Sequence, residues 1–141
     1  MKKVEWTEDM AVGVDIIDGQ HRQLIDQLNR LASAIERRQG EAEITRSLNF
    51  LVDYTHSHFT AEEGYMQEHA YPAMAEHQSR HAEFRRMLQT LEQDLDEEGA
   101  TKGLADSIRI FIAGWLVNHI QSVDREFGKF VTEKGIVLAD A

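Results

Sequence analysis

Two pairs of side chains set the chemical problem: His58-x-x-x-Glu62 and His77-x-x-x-His81. On a helix each pair lies one turn apart on one face. The first pair then offers an imidazole and a carboxylate to a common ion, and the second forms a bidentate metal clip. His21, His119 and Asp124 are further candidates. Each has an ordinary alternative, since a lone imidazole such as His21 on an apolar stripe is commonly a hydrogen-bonded core group. Asp124 is the least obvious, because it follows His119 by five residues, about 140° round an ideal helix. To serve the same site its carboxylate must reach sideways and bridge a second ion. Of the seven histidines, His56 falls on the side opposite His58, and His69 lies about 10 Å along the axis from Glu62. Both are read as surface groups.

Cysteine is absent, which removes disulfides, thiol nucleophiles and zinc–cysteine sites. Imidazole and carboxylate without sulfur suit iron, manganese or zinc. Five imidazoles and two carboxylates exceed what one ion needs, so two ions bridged by Glu62 and Asp124 is the economical reading. The ferritin-like di-iron site uses Glu-x-x-His pairs on two helices, and that spacing occurs nowhere in the chain. The site is histidine-rich and carboxylate-poor.

The elements that must carry these groups follow from periodicity. The chain has 141 residues, 42% of them hydrophobic, which suits one domain over 1–141. Proline occurs once, at Pro72, and apolar residues recur at helical spacing. An irregular arm over 1–17, turning at Gly13, precedes helices expected over about 18–38, 41–69, 72–95 and 101–130. Asp18 is expected to cap the first helix, and Arg37 and Arg38 suit its negative end. Gly40 breaks the chain, Glu41 and Glu43 favour the start of the second helix, Pro72 that of the third, and Thr101 caps the fourth. Glu97 and Glu98 oppose the dipole at the end of the third. Gly64, Gly114 and Gly128, each costing roughly 1 kcal/mol relative to Ala inside a helix, mark either close packing or misplaced boundaries. The expected fold class is all-α: an up-down-up-down antiparallel four-helix bundle with an irregular N-terminal arm.

Tracing the inward stripe of each helix gives His21, Leu24, Leu28, Leu31 and Ile35; then Ile44, Leu48, Leu51, Thr55, His58, Glu62 and Tyr65. The third gives Met74, His77, His81, Phe84, Leu88, Leu91 and Leu95, and the fourth Leu104, Ile108, Phe111, Trp115 and His119. Every row carries an imidazole. Alternating helix directions bring His21, His58, Glu62, His77, His81 and His119 to one end of the bundle, and the rows turn aliphatic away from it. Burying so many polar groups costs several kcal/mol, of order 1–3 kcal/mol for each one left unpartnered, unless something compensates them together. A metal centre does.

Val12-Gly13-Val14-Asp15 followed by His21, then His58-x-x-x-Glu62, His77-x-x-x-His81 and Trp115-x-x-x-His119-x-x-x-x-Asp124, resembles the hemerythrin family in its single-domain bacterial form, bacteriohemerythrin. The resemblance runs from Trp6 to about Phe130, and all seven motif positions hold the expected residue type. Myohemerythrin is itself a standing example of the up-down-up-down bundle, so agreement on the fold is corroboration, not an independent result. The resemblance implies two iron ions. One is held by His77, His81 and His119 and the other by His21 and His58, with Glu62, Asp124 and a solvent-derived oxygen bridging them. These donors fill every position of two six-coordinate ions but one, on the iron with two histidines, and there O2 binds reversibly. Phe59, Trp115, Leu116 and Ile120 flank the ligands as an apolar wall, and Leu116 resembles the family's pocket leucine.

The expected function is therefore non-catalytic O2 binding, as a carrier, store or scavenger. Alternatives are a di-iron oxidase, peroxidase or nitric oxide-handling enzyme, or an O2 or redox sensor acting through a separate partner. No buried acid or base beyond the ligands is evident from the sequence, which weighs against the enzyme. The chain ends soon after the fourth predicted helix without a signalling module, which weighs against the sensor. Fifteen basic against 25 acidic residues, a formal net charge of −10, argue against nucleic acid and anionic membrane surfaces as partners. The longest apolar run, 110–117, is too short to span a bilayer. Glu5, Glu8 and Asp9 interrupt any signal-like start, and the expected location is cytoplasmic. The expected ligands are O2 and other small diatomic molecules; nothing in the sequence specifies a protein partner.

Overall fold

A computed structural model describes residues 3–138; Met1, Lys2 and 139–141, at the edges of the expected arm and domain, lie outside the described residues. Among the described residues there are four long helices, a 3-10 turn at Glu8–Met10 and no strand: α1 Asp15–Glu36, α2 Glu41–Glu68, α3 Met74–Glu98 and α4 over 102–133. Helix α1 packs on α2 and α4, and α3 on α2 and α4. The result is the antiparallel four-helix bundle. Among the described residues no helix is long and apolar enough to cross a membrane.

Helix α1 begins three residues earlier than expected. Val14 is its N-cap without a side-chain bond, and Asp18 lies inside the first turn. The Asp18 carboxylate instead accepts the Val12 N–H at 2.8 Å, tying the arm to the helix that follows it. Gly13 makes that reversal at φ +87°, a conformation open chiefly to glycine. Farther back, Asn29 exchanges two hydrogen bonds with the Val4 backbone. The arm also lies against α4. Arg125 donates to Asp9 O and Gln121 to Asp9 Oδ2, and a Cβ on Gly128 would stand 2.3 Å from Val12 O. Gly128 therefore marks close packing, whereas Gly64 and Gly114 have open space where a Cβ would sit.

Helices α1 and α2 end in left-handed residues, Arg38 at φ 52° and Ala70 at φ 53°. Beyond each, a backbone N–H returns to the last turn: Gln39 to Ala34 O at 3.1 Å and Tyr71 to Met66 O at 2.9 Å. This is the six-to-one closure that satisfies terminal carbonyls. Pro72 sits in the turn after α2, two residues ahead of the first residue of α3. At its other end α3 continues through Glu97 and Glu98, three residues past the expected end at 95. Thr101 caps α4, accepting the Leu104 N–H at 3.1 Å.

Helix α4 is not a uniform α-helix. α-Helical Lys102–Ser107, Ala113–His119 and Arg125–Glu133 alternate with π-turns at Ile108–Ile112 and Ile120–Asp124. A π-turn closes i to i+5 and so takes one residue more than an α-turn. The first delays the register, which corrects the expected stripe. Phe111 is 64% exposed and Ile112, at 6%, takes its inward place. Elsewhere the stripes differ at their ends: Tyr65, Met74 and Leu95 are half-buried, and Met66 is inside in place of Tyr65. The half remote from the histidines is not purely aliphatic either. Buried Arg109 of the first π-turn pairs with Glu36 and lies 3.3 Å from Ser33 Oγ.

Candidate metal centre

Each helix contributes to one buried cluster. His21 comes from the second turn of α1, His58 and Glu62 from late α2, and His77 and His81 from early α3. His119 and Asp124 come from the segment of α4 spanning the second π-turn. All seven are 3% exposed or less. His56 is exposed and His69 is the half-buried C-cap of α2; neither joins them. The ligand atoms of Glu62, His77, His81, His119 and Asp124 lie within 4.8 Å of one another, as do those of His21, His58 and Glu62.

The second π-turn explains Asp124. The expectation was a side chain reaching sideways from 140° round an α-helix. Residues five apart in a π-turn are instead one turn apart, so Asp124 faces inward beside His119, with Nε2 to Oδ1 at 3.0 Å. Backbone register does the work expected of side-chain reach.

The carboxylates divide their oxygens between two sets of imidazoles. Glu62 Oε1 lies 2.6 Å from His77 Nε2 and 3.2 Å from His81 Nε2. Asp124 Oδ1 lies 2.8 Å from His77 Nε2 and 3.0 Å from His119 Nε2. The second oxygens face the other way: Glu62 Oε2 is 3.4 Å from His58 Nε2, and Asp124 Oδ2 is 2.9 Å from His21 Nε2. All five imidazoles present Nε2 to the centre. His58 and His81 turn Nδ1 outward, to Gln20 Oε1 and Glu63 Oε2, each at 2.7 Å. A ring donating its Nδ1 proton in this way keeps Nε2 as a lone pair for a metal.

The donor set fits metal ions on the structure's own terms. Nε2 of His21, His77, His81 and His119, both oxygens of Glu62 and Asp124 Oδ1 have no directed hydrogen-bond partner among the described residues, although they are buried. Orphaned polar atoms at this density are costly, and they converge on shared space. Their electrostatics agree. Burial and the Asp124 charge push Glu62 upward, but His77 and His81 outweigh them and bring it to about 2. Burial likewise opposes ionisation of Asp124, and His21 and His119 hold it well below the carboxylate range. Burial disfavours a charge on His77, yet Asp124 and Glu62 raise it to about 9. His21 is raised against burial by Asp124, and burial lowers His58 to about 4. Two ionised carboxylates thus draw positive charge from nearby imidazoles, the role a pair of cations fills with less strain.

Aromatic and aliphatic side chains close the cluster. Phe59 stacks on His81 with centroids 3.7 Å apart, and Trp115 on His119 at 4.7 Å. Leu116 and Ile120, next in the chain to Trp115 and His119, are also buried. Trp115 is half-buried, and its indole N–H donates to Glu83 at 3.3 Å.

The sequence reading missed the outer partners Gln20 and Glu63. Glu63 is also an acid beyond the seven candidates, in contact with one of them, where none was expected. The available signal was adjacency: Gln20 precedes His21 and Glu63 follows Glu62, each about 100° round the helix and able to reach a neighbouring helix's imidazole.

Comparison with known proteins bears on this site. The family model described as the Hemerythrin HHE cation binding domain matches residues 12–131. A bacteriohemerythrin of Stenotrophomonas maltophilia is 35% identical over 127 residues, 90% of this chain and 80% of that one. One from Methylococcus capsulatus is 31% identical over 91% of this chain and 96% of its own. A wild-type hemerythrin crystal structure superposes with a TM-score of 0.76 at 29% identity, covering 90% of this chain and 96% of that one.

Proposed function

The chain belongs to the hemerythrin family of di-iron O2-binding proteins, and from that premise we propose that it takes up and releases O2 unchanged, as a carrier, store or scavenger. His77, His81 and His119 would hold one iron and His21 and His58 the other, with Glu62 and Asp124 shared between them. The observation that carries this reading is the division of oxygens: each carboxylate turns one oxygen to the three-histidine set and one to the two-histidine set. When bound, the iron pair supplies electrons that O2 borrows on binding and returns on release.

The chain's own residues do the rest. Gln20 and Glu63 fix the ring orientation of His58 and His81 through Nδ1, keeping Nε2 directed inward. Phe59, Trp115, Leu116 and Ile120 form an apolar wall that excludes water and external reductants. That exclusion separates release of O2 from its consumption. Stacking on Phe59 and Trp115 further holds the ring planes of His81 and His119.

The test is metal analysis with an absorption spectrum recorded with and without O2. Two irons per chain and a visible band that comes and goes with O2 support reversible binding. Steady O2 consumption in the presence of a reductant turns the reading toward an oxidase or peroxidase, and zinc alone in freshly isolated protein overturns both.

A further inference from the structure

His81 and His58 make outward hydrogen bonds of equal length to acceptors of different charge. His81 Nδ1 is 2.7 Å from the Glu63 carboxylate, and His58 Nδ1 is 2.7 Å from the Gln20 amide oxygen. The Glu63 contact is built. Gln78 Nε2 donates to Glu63 Oε1 at 3.2 Å, Arg85 Nη2 stands 3.6 Å from Oε2, and the Glu63 side chain is only 17% exposed. Arg85 in turn lies over the ring of Phe59, 5.3 Å from its centroid, and Phe59 stacks on His81. Among the described residues no charged group is found hydrogen-bonded to Gln20, whose contact is the His58 ring.

An imidazole that donates to an anion carries more electron density at Nε2 than one that donates to a neutral amide. We propose that Glu63 is a charge-tuning positioning residue that makes the two irons unequal, favouring the ferric state on the His81 side, while the neutral Gln20 leaves the His58 side without that bias. The proposal rests on the assignment of two irons made above. It predicts that hydrogen bonding and charge at Glu63 are separable, because glutamine at that position can still accept the Nδ1 proton.

The experiment loads Glu63→Gln, Glu63→Ala and Gln20→Glu with ferrous iron. It measures iron per chain, affinity by chelator competition and midpoint potentials by spectroelectrochemical titration. Glu63→Gln is expected to keep two irons but shift the ferric–ferrous preference toward ferrous by about tenfold, a rise of about 59 mV for one electron. Glu63→Ala is expected to lose about 10- to 100-fold in iron affinity as well. Gln20→Glu should move the potential the other way, and it carries the test alone if the Glu63 variants fail to fold. Unchanged potentials in Glu63→Gln and Gln20→Glu overturn the proposal, even if Glu63→Ala binds iron weakly, and leave the O2-binding reading standing. Failure of the unaltered chain to hold two irons overturns both.

Discussion

His119 and Asp124 stand five residues apart in sequence and 3.0 Å apart in space, Nε2 to Oδ1, because the backbone between them is a π-turn. In an α-helix the same two residues would point about 140° apart. The extra residue of the turn costs regular hydrogen bonding but gives α4 two inward-facing donor groups, at His119 and Asp124, without a break in the helix. π-Turns gather at functional sites for this kind of reason.

Asp124 shares its two oxygens between the imidazole sets, so its loss should be felt by both. Asp124→Asn keeps the shape and removes the charge. We expect iron to fall from two per chain to one or fewer by metal analysis, with the helical circular dichroism spectrum retained. Full loading of Asp124→Asn would remove Asp124 from the bridge.

Iron uptake should depend on pH in a direction set by the imidazoles. A ligand nitrogen must be free of its proton to bind metal. His77, held near 9 against burial by Asp124 and Glu62, carries a proton at pH 7, and raised His21 shares this tendency. His58, at about 4 through burial, does not, and both carboxylates are already ionised. Ferrous iron added at pH 7 should therefore release protons, and apparent affinity should rise from pH 7 and level off above about 9. Calorimetric titration in buffers of different ionisation enthalpy measures the release. Affinity that falls over this range would contradict it.

How much of this was legible beforehand differs by residue, for physical reasons. His21, His58, Glu62, His77 and His81 sit on regular α-helix, where spacing of three and four reads out a face directly, and all five are in the cluster. Asp124 and Phe111 are governed by the two π-turns of α4. Nothing in local composition announces an extra residue in a turn, so face arithmetic turned Asp124 away and drew Phe111 inward. The Thr101 cap is local chemistry and was readable. The Asp18 carboxylate went to Val12 N–H because the arm folds back, a tertiary contact that capping preference does not contain. Glu63, Gln20 and Arg109 were hidden for the same reason: their partners lie on other helices.

Leu116 is 1% exposed and lies within one turn of His119. Leu116→Ala should open the wall over the site and admit water, shortening the oxygenated lifetime measured as decay of its visible band. It should also cost about 2–5 kcal/mol of stability, as large-to-small core changes do, so melting must be recorded in parallel. An unchanged lifetime in a folded variant would take Leu116 out of the O2 pocket.

Gly128 and Gly64 make a paired test of how the arm is held. Both lie inside helices, and by intrinsic propensity Ala should be better at each by up to about 1 kcal/mol. A Cβ at Gly64 meets nothing within 4 Å, whereas at Gly128 it meets Val12 O at 2.3 Å and Val12 Cβ at 3.0 Å. The obstacle at Gly128 is backbone, fixed in place by the Asp18 bond to Val12 N–H, and it cannot give way by a rotamer change. Gly64→Ala should therefore raise the melting temperature slightly, and Gly128→Ala should lower it, because overpacking strain costs roughly 1–3 kcal/mol. Relief in Gly128→Ala comes most easily by releasing the arm, so amide exchange should quicken at Val4 and Val12, whose N–H groups donate to Asn29 and Asp18, before it does in α2 or α3. Equal melting of the two variants would mean that the arm is not seated on α4 in solution.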